Sequence, residues 1–256
     1  MSPQFIASAQ AAEHVAAQPA TGMTGLMWLV IALPLLGAAV LLFGGRKTDA
    51  FGPWLATLLS WSSFAVGALA LFQMLGSAPA DRIHHLPMWS WIPAGSFNLD
   101  IGLLIDPLSI SFVMLVTFVG SLIHIYSLGY MEHDPDKRRF FAYLNLFVAA
   151  MLTLVLADSY LLLYVGWEGV GLASYLLIGF WNWNPPYAAA ANKAFIINRI
   201  GDFGLGIAIM LMFATFGTVT YAGVAERVHS ANPTTLTILG LLLLLAACGK
   251  SAQFPL

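Results

Sequence analysis

The chain reads as an all-α, polytopic membrane helix bundle of about seven transmembrane helices with a short periplasmic β-hairpin. Three observations predict this class. Hydrophobic residues make up 59% of the sequence and charged residues 9%, with a mean hydropathy of +0.82, a balance foreign to soluble domains. The apolar residues gather into runs long enough to cross a hydrocarbon core about 30 Å thick. The few charges collect between those runs, apart from a handful inside them. Buried helices of a soluble protein do not fit, because several runs exceed about 18 residues with few or no charges.

The spans follow in order at 26–43, 52–75, 104–128, 140–157, 159–181 and 188–216, with one more from near Thr234 to the chain end. As one helix, Phe140 to Trp181 would be about 63 Å long, twice the bilayer core. It must fold back, and Ala157-Asp158-Ser159 is its only polar break, so Asp158 or Ser159 caps the second helix. Residues 1–25 form a loose polar tail that contains Glu13 and His14 and lacks the basic and apolar regions of a signal peptide. Residues 26–129 then form a three-helix segment. Within segment 76–103, Met88-Trp-Ser-Trp-Ile92 and Phe97-Asn-Leu-Asp-Ile101 flank the turn-like Pro93-Ala-Gly-Ser96, the pattern of a β-hairpin. In 217–233, Val224 and Val228 stand at helical spacing beside Glu226, Arg227 and His229, which fits a short surface helix or an ordinary connector.

Orientation follows from the basic residues. One side gathers Arg46, Lys47, Lys137, Arg138, Arg139 and Lys193, the other only Arg82 and Arg227. The first side is expected in the cytoplasm and the N-terminus outside. Trp28, Trp54, Trp89, Trp91, Trp181 and Trp183 lie near span ends or beyond them, as an interfacial belt requires.

The informative residues are the charges left inside spans: Glu168, Arg199, Asp202 and Lys250, with Lys193 near the cytoplasmic mouth. Counted from Ser159, Glu168 is roughly 14 Å deep, near the bilayer centre. An ionisable group there is costly and points to proton handling. Arg199 and Asp202, three apart, share a helix face, where they partly neutralise one another or form a purely structural ion pair. Asp202 lies roughly 21 Å along its helix, in reach of the layer that holds Glu168. Lys250 ends a run of Leu, Ile, Ala and Thr, and Pro255 loosens the helix one turn beyond it. It either lines a site at a broken helix or snorkels to the interface. Lys193 feeds protons or only sets topology. His124 reads as an interfacial or satisfied core histidine, and Asp106 and Asp158 as caps.

Other chemistries are excluded or weak. No basic nucleic-acid surface is present, and the single Cys248 can hold neither an iron–sulfur cluster nor zinc. Gly169-Val-Gly171-Leu-Ala-Ser174 imitates a dinucleotide fingerprint, but no strand precedes it. Its small residues suit close helix packing instead.

Four ordered motifs carry a resemblance: Tyr130-Met-Glu-His-Asp-Pro-Asp-Lys-Arg-Arg-Phe-Phe-Ala-Tyr-Leu-Asn145, Leu163-Tyr-Val-Gly-Trp-Glu-Gly-Val-Gly-Leu-Ala-Ser-Tyr-Leu-Leu-Ile-Gly-Phe180, Asn192-Lys-Ala-Phe-Ile-Ile-Asn-Arg-Ile-Gly-Asp-Phe-Gly204 and Gly249-Lys-Ser-Ala-Gln-Phe-Pro-Leu256. The chain resembles the subunit L family of bacterial NADH-quinone oxidoreductase, respiratory complex I. The resemblance implies a proton-translocating subunit of the bacterial inner membrane whose partners are the other membrane subunits, the lipid bilayer and protons, with no nucleic acid. It implies a proton pathway with Glu168 as the acidic partner, Lys250 as its lysine, and Asp202 beside Arg199. Residues 130–256 would be the first antiporter-like repeat, cut short. No cofactor would bind this chain; NADH, FMN, iron–sulfur clusters and quinone belong to the parent complex, so the chain is an enzyme component without substrate chemistry of its own. Family members continue past Leu256, so the chain is expected to be an N-terminal fragment, a truncated product or an incomplete sequence. The alternatives are a subunit of a multisubunit cation/proton antiporter and a non-functional truncated product. If Glu168 and Lys250 approach within about 6 Å, their attraction is roughly 2–3 kcal/mol, enough for each to govern the other's proton.

Overall fold

The computed structural model describes residues 17–94, 97–254 and 256. Glu13 and His14, the turn tip at Gly95 and Ser96, and Pro255 with its expected effect on the last helix lie outside the described residues. Among those residues, seven helices are long and apolar enough to cross a membrane. They are α1 (Trp28–Phe43), α2 (Gly52–Leu75), α3 (Pro107–Tyr130), α4 (Lys137–Leu156), α5 (Tyr160–Ile178), α6 (Pro185–Phe216) and α8 (Pro233–Lys250). The short α7 (Tyr221–Arg227) lies between the last two and realises the helical reading of 217–233.

Local chemistry sets the starts. Asp106 caps α3 through a reciprocal pair, its carboxylate accepting from the Ser109 N–H at 2.7 Å while the Ser109 hydroxyl accepts from the Asp106 N–H at 2.8 Å. The third span therefore opens at Pro107 and not at Leu104, which belongs to a strand. Ser159 caps α5 by accepting from the Leu162 N–H at 3.3 Å. Asp158, the other candidate cap, instead meets His85 Nε2 at 2.9 Å. Asn232 caps α8, accepting from the Thr234 N–H at 2.9 Å.

The hairpin is longer than its sequence signature. Strands β2 (His84–Ala94) and β3 (Phe97–Ile105) pair antiparallel from His84 opposite Ile105 to Ala94 opposite Phe97, with register shifts at Pro87/Trp89 and Ser90/Ile92. Pro87 has no N–H to offer the ladder, which fits the first irregularity. A further strand, β1 (Gln18–Pro19), joins β2 in parallel: the Gln18 N–H donates to Ile83 O at 2.9 Å and the Ala20 N–H to His85 O at 3.0 Å. From Gln18 onward the tail is thus tied to the hairpin and not loose.

Helix α1 lies against both α2 and α4, α3 against α2, and α5 between α4 and α6, while α8 packs on α6. Near the hairpin, Met27, Val30, Ile105, Ile110, Leu152 and Leu156 form a buried cluster; near the basic end, Leu41, Phe141 and Phe180 form another. Helices α4 and α5 approach backbone to backbone at Gly166, where an added Cβ would come within 2.5 Å of the Leu154 nitrogen. That contact seats the residues that follow it on α5.

Candidate functional site: charges meeting across three helices

Three separate spans contribute the charged groups. Helix α5 carries Trp167 and Glu168, α6 carries Arg199 and Asp202, and α8 ends on Lys250. Arg199 Nη1 donates to both carboxylate oxygens of Glu168, and its guanidinium lies 4.8 Å from the centre of the Phe195 ring. Asp202 is buried, only 3% exposed. Its Oδ1 accepts from the Trp167 indole N–H at 2.6 Å. Among the described residues Arg199 and Asp202 form no direct ion pair along α6: each turns to α5, Arg199 to Glu168 and Asp202 to Trp167.

Lys250 turns back into the bundle. Its Nζ donates to the Trp167 carbonyl at 3.3 Å and stands 5.5 Å from the centre of the Trp167 ring. Close packing of α6 on α8 makes this possible: a Cβ on Gly249 would fall 3.0 Å from the Gly201 Cα. One residue on, the lysine reaches α5 beside Gly171, where a Cβ would sit 3.4 Å from Nζ. Helix α8 closes just after it, with Ala252 at φ +50° and the Gln253 N–H donating to Cys248 O at 3.1 Å.

Trp167 thus touches both Asp202 and Lys250. Sequence reasoning passed over it, although an indole N–H at mid-bilayer needs an acceptor, and the acidic neighbours Glu168 and Asp202 advertise one. Lys193 and Asn198 share with Lys250 a cavity of about 520 Å³ at the basic end.

The remaining candidates lie apart. His124 is fully buried in α3, with Nδ1 2.7 Å from Gly120 O and Nε2 2.8 Å from Asn145 Oδ1, a satisfied core histidine. Cys248 is a buried thiol. Among the described residues, no three His, Cys, Asp or Glu side chains come together as a metal site would require.

A bundle of span-length helices with ions paired across them defines a polytopic membrane protein with charged groups inside its spans, and comparison with known proteins narrows it. Residues 91–141 match the family described as NADH-ubiquinone oxidoreductase (complex I) chain 5, N-terminus, and residues 157–256 match NADH:quinone oxidoreductase/Mrp antiporter, transmembrane. NADH-quinone oxidoreductase subunit L of Mycobacterium tuberculosis is 59% identical over 91% of this chain and 37% of its own length. The Escherichia coli subunit of the same name is 40% identical over 90% of this chain and 38% of its own. A solved Mrp complex from a Dietzia species superposes with a TM-score of 0.69 at 26% identity, over 90% of this chain and 24% of that one. The chain belongs to the NADH-quinone oxidoreductase subunit L family, and it spans about two fifths of the length of these curated relatives.

Proposed function

We propose that the chain carries part of the proton pathway of an NADH:quinone oxidoreductase membrane subunit, with Glu168, Arg199, Asp202 and Lys250 as the groups that hold and pass charge. The observation that carries this reading is the convergence of α5, α6 and α8 on Trp167, which accepts from Lys250 and donates to Asp202 beside the Glu168–Arg199 pair. Ionisable groups are costly in a span, and these have partners on other helices that can be exchanged.

The magnitudes agree. Carrying one charge against about 150–200 mV costs roughly 3.5–4.6 kcal/mol. A charged contact at about 4 Å in an effective dielectric near 20 is worth about 4 kcal/mol. Breaking one ion pair and making another therefore moves energy on the scale of the work. In this reading the Glu168 carboxylate exchanges between Lys250 and Arg199: beside Lys250 it keeps the ammonium protonated, and when it moves to Arg199 the lysine gives its proton to the next acceptor along the layer. Redox chemistry with NADH, FMN, iron–sulfur clusters and quinone belongs to partner subunits.

Residues 26–129 act as the supporting three-helix segment and residues 130–256 as the first antiporter-like repeat. The excess of Lys and Arg at one end supports a cytoplasmic position for that end in a bacterial cell, with the hairpin and the N-terminus outside the inner membrane. The higher identity to subunit L than to the Mrp structure favours the respiratory role over cation/proton exchange.

The test is Glu168→Gln and Lys250→Ala in the full-length parent, in assembled complex. The expected result is at least about a tenfold loss of proton translocation per NADH oxidised, a barrier change of about 1.4 kcal/mol or more. Unchanged pumping by both variants removes these residues from the pathway.

A further inference from the structure

Lys250 is held without an anion against it. Among the described residues it forms no ion pair, because Glu168 is taken by Arg199 and the buried Asp202 by the Trp167 indole at 2.6 Å. Its contacts come from Trp167 instead: the carbonyl of that residue accepts from Nζ at 3.3 Å, and the ring centre lies 5.5 Å away. A single residue thus holds a cation on one side and a carboxylate on the other. The ring is not free to follow either group. It packs against a buried cluster that includes Leu99 of β3, Leu205 and Ile209 of α6 and Ala246 of α8. Leu205 lies three residues after Asp202 and Ala246 four residues before Lys250, so each helix that brings a charge also supplies part of the wall that fixes the indole.

Tryptophan suits the task of keeping two charges apart. Its N–H donates and accepts nothing, so it holds a carboxylate but passes no proton on. Its π face attracts an ammonium without carrying a charge to neutralise it. The separation bears on the exchange of Glu168 between Lys250 and Arg199. With Glu168 on Arg199, the lysine gives up its proton only if no second carboxylate takes the place of the first, because an anion in contact keeps an ammonium charged whichever residue supplies it. Asp202 and Lys250 meet the same side chain. Unrestrained, they would close into a direct ion pair and leave the proton on the lysine.

We propose that Trp167 is a positioning residue of the proton pathway, a spacer whose indole N–H keeps Asp202 off Lys250 while Glu168 is on Arg199. The inference rests on the pathway reading of Glu168, Asp202 and Lys250 and adds to it the group that makes departure of Glu168 effective.

The test replaces Trp167, in the full-length parent and its assembled complex, with benzothienylalanine, which keeps the shape and π face of tryptophan but has sulfur in place of the N–H. Tryptophan reinserted by the same stop-codon route is the control. Proton translocation per NADH oxidised is expected to fall about tenfold, as loss of one hydrogen bond to a charged group predicts. A cryo-electron-microscopy structure of the variant is expected to show Asp202 and Lys250 as a direct ion pair. Trp167→Phe, which also lacks the N–H, should fall at least as far. Normal translocation in the benzothienylalanine enzyme overturns the proposal, and together with a loss in Trp167→Phe it assigns the residue to packing alone. A loss with Asp202 still apart from Lys250 overturns it as well. Asp202→Asn, assayed alongside, separates the spacer from the pathway beneath it. Normal pumping in that variant removes the charged pathway and the spacer with it, whereas low pumping there beside a normal benzothienylalanine enzyme removes the spacer only.

Discussion

Away from the basic end, where Arg138 of α4 donates to Leu41 O of α1 at 2.6 Å, the polar side chains that cross between α1, α2, α3 and α4 are hydroxyls, an amide and an imidazole. Ser60 Oγ meets Ser121 Oγ at 2.9 Å, the Ser63 hydroxyl donates to Val30 O at 2.7 Å, and His124 meets Asn145 at 2.8 Å. From α5 to α8 the corresponding contacts involve ions: Glu168 with Arg199, Asp202 with the Trp167 indole, and Lys250 with the Trp167 carbonyl. The first set is wholly buried, Ser60, Ser63, Ser121, His124 and Asn145 being 0% exposed. In the second, Asp202 is buried, but the Glu168 side chain is 22% exposed and that of Arg199 47%. Neutral groups closed off from everything but each other fasten helices together. Charged groups left partly open can change partners, which fastening does not require.

Four substitutions in the full-length parent would break or sharpen this contrast. The largest expected effect is from Arg199→Gln, which leaves Glu168 in a span without its cation and lowers stability by about 3–5 kcal/mol, read as a fall in the thermal unfolding midpoint. Adding Glu168→Gln should restore most of that stability while proton translocation stays low. Next is Gly166→Ala: its Cβ meets the Leu154 backbone, which cannot give way as a side chain can, and the cost is about 2–3 kcal/mol in the same melting assay. Asn145→Ala strands the buried Nε2 of His124 and is expected to cost about 2 kcal/mol while pumping per assembled complex is unchanged. Loss of pumping at normal assembly would erase the distinction between the two regions. The smallest effect is for Ser60→Ala with Ser121→Ala: removing both partners of one hydroxyl pair is expected to cost under about 1 kcal/mol, and the double-mutant cycle measures their coupling.

The spans were legible because their signal is additive: twenty apolar residues in a row outvote any single misreading, and the Asp158–Ser159 break is the only place where the long run can turn. The hairpin was legible from its turn residues. Strand β1 was not, because two residues pairing through backbone atoms alone leave no side-chain pattern. The site divides in the same way. Charges inside spans stand out against an apolar background, so Glu168, Arg199, Asp202 and Lys250 could be picked from composition. Their partners could not, because spacing on one helix reports only neighbours on that helix. Arg199 and Asp202 looked like each other's partners at three residues' separation, whereas the contact that forms joins residues 31 apart on different helices. Asp158 misled for a related reason: a carboxylate before a helix resembles a cap, and only the arrival of the hairpin gives it His85.

Gly166 and Gly169, on either side of Glu168 in the chain, both meet α4, the latter within 2.9 Å of the Ala150 methyl group if it carried a Cβ. With main chain clamped on main chain, α5 has no slack to roll or slide. Any repositioning of the acid is then confined to the torsions of its own side chain, a swinging arm on a fixed post. Such rotations take picoseconds to nanoseconds when unhindered, so the reorienting arm would be fast beside any motion of the helices themselves.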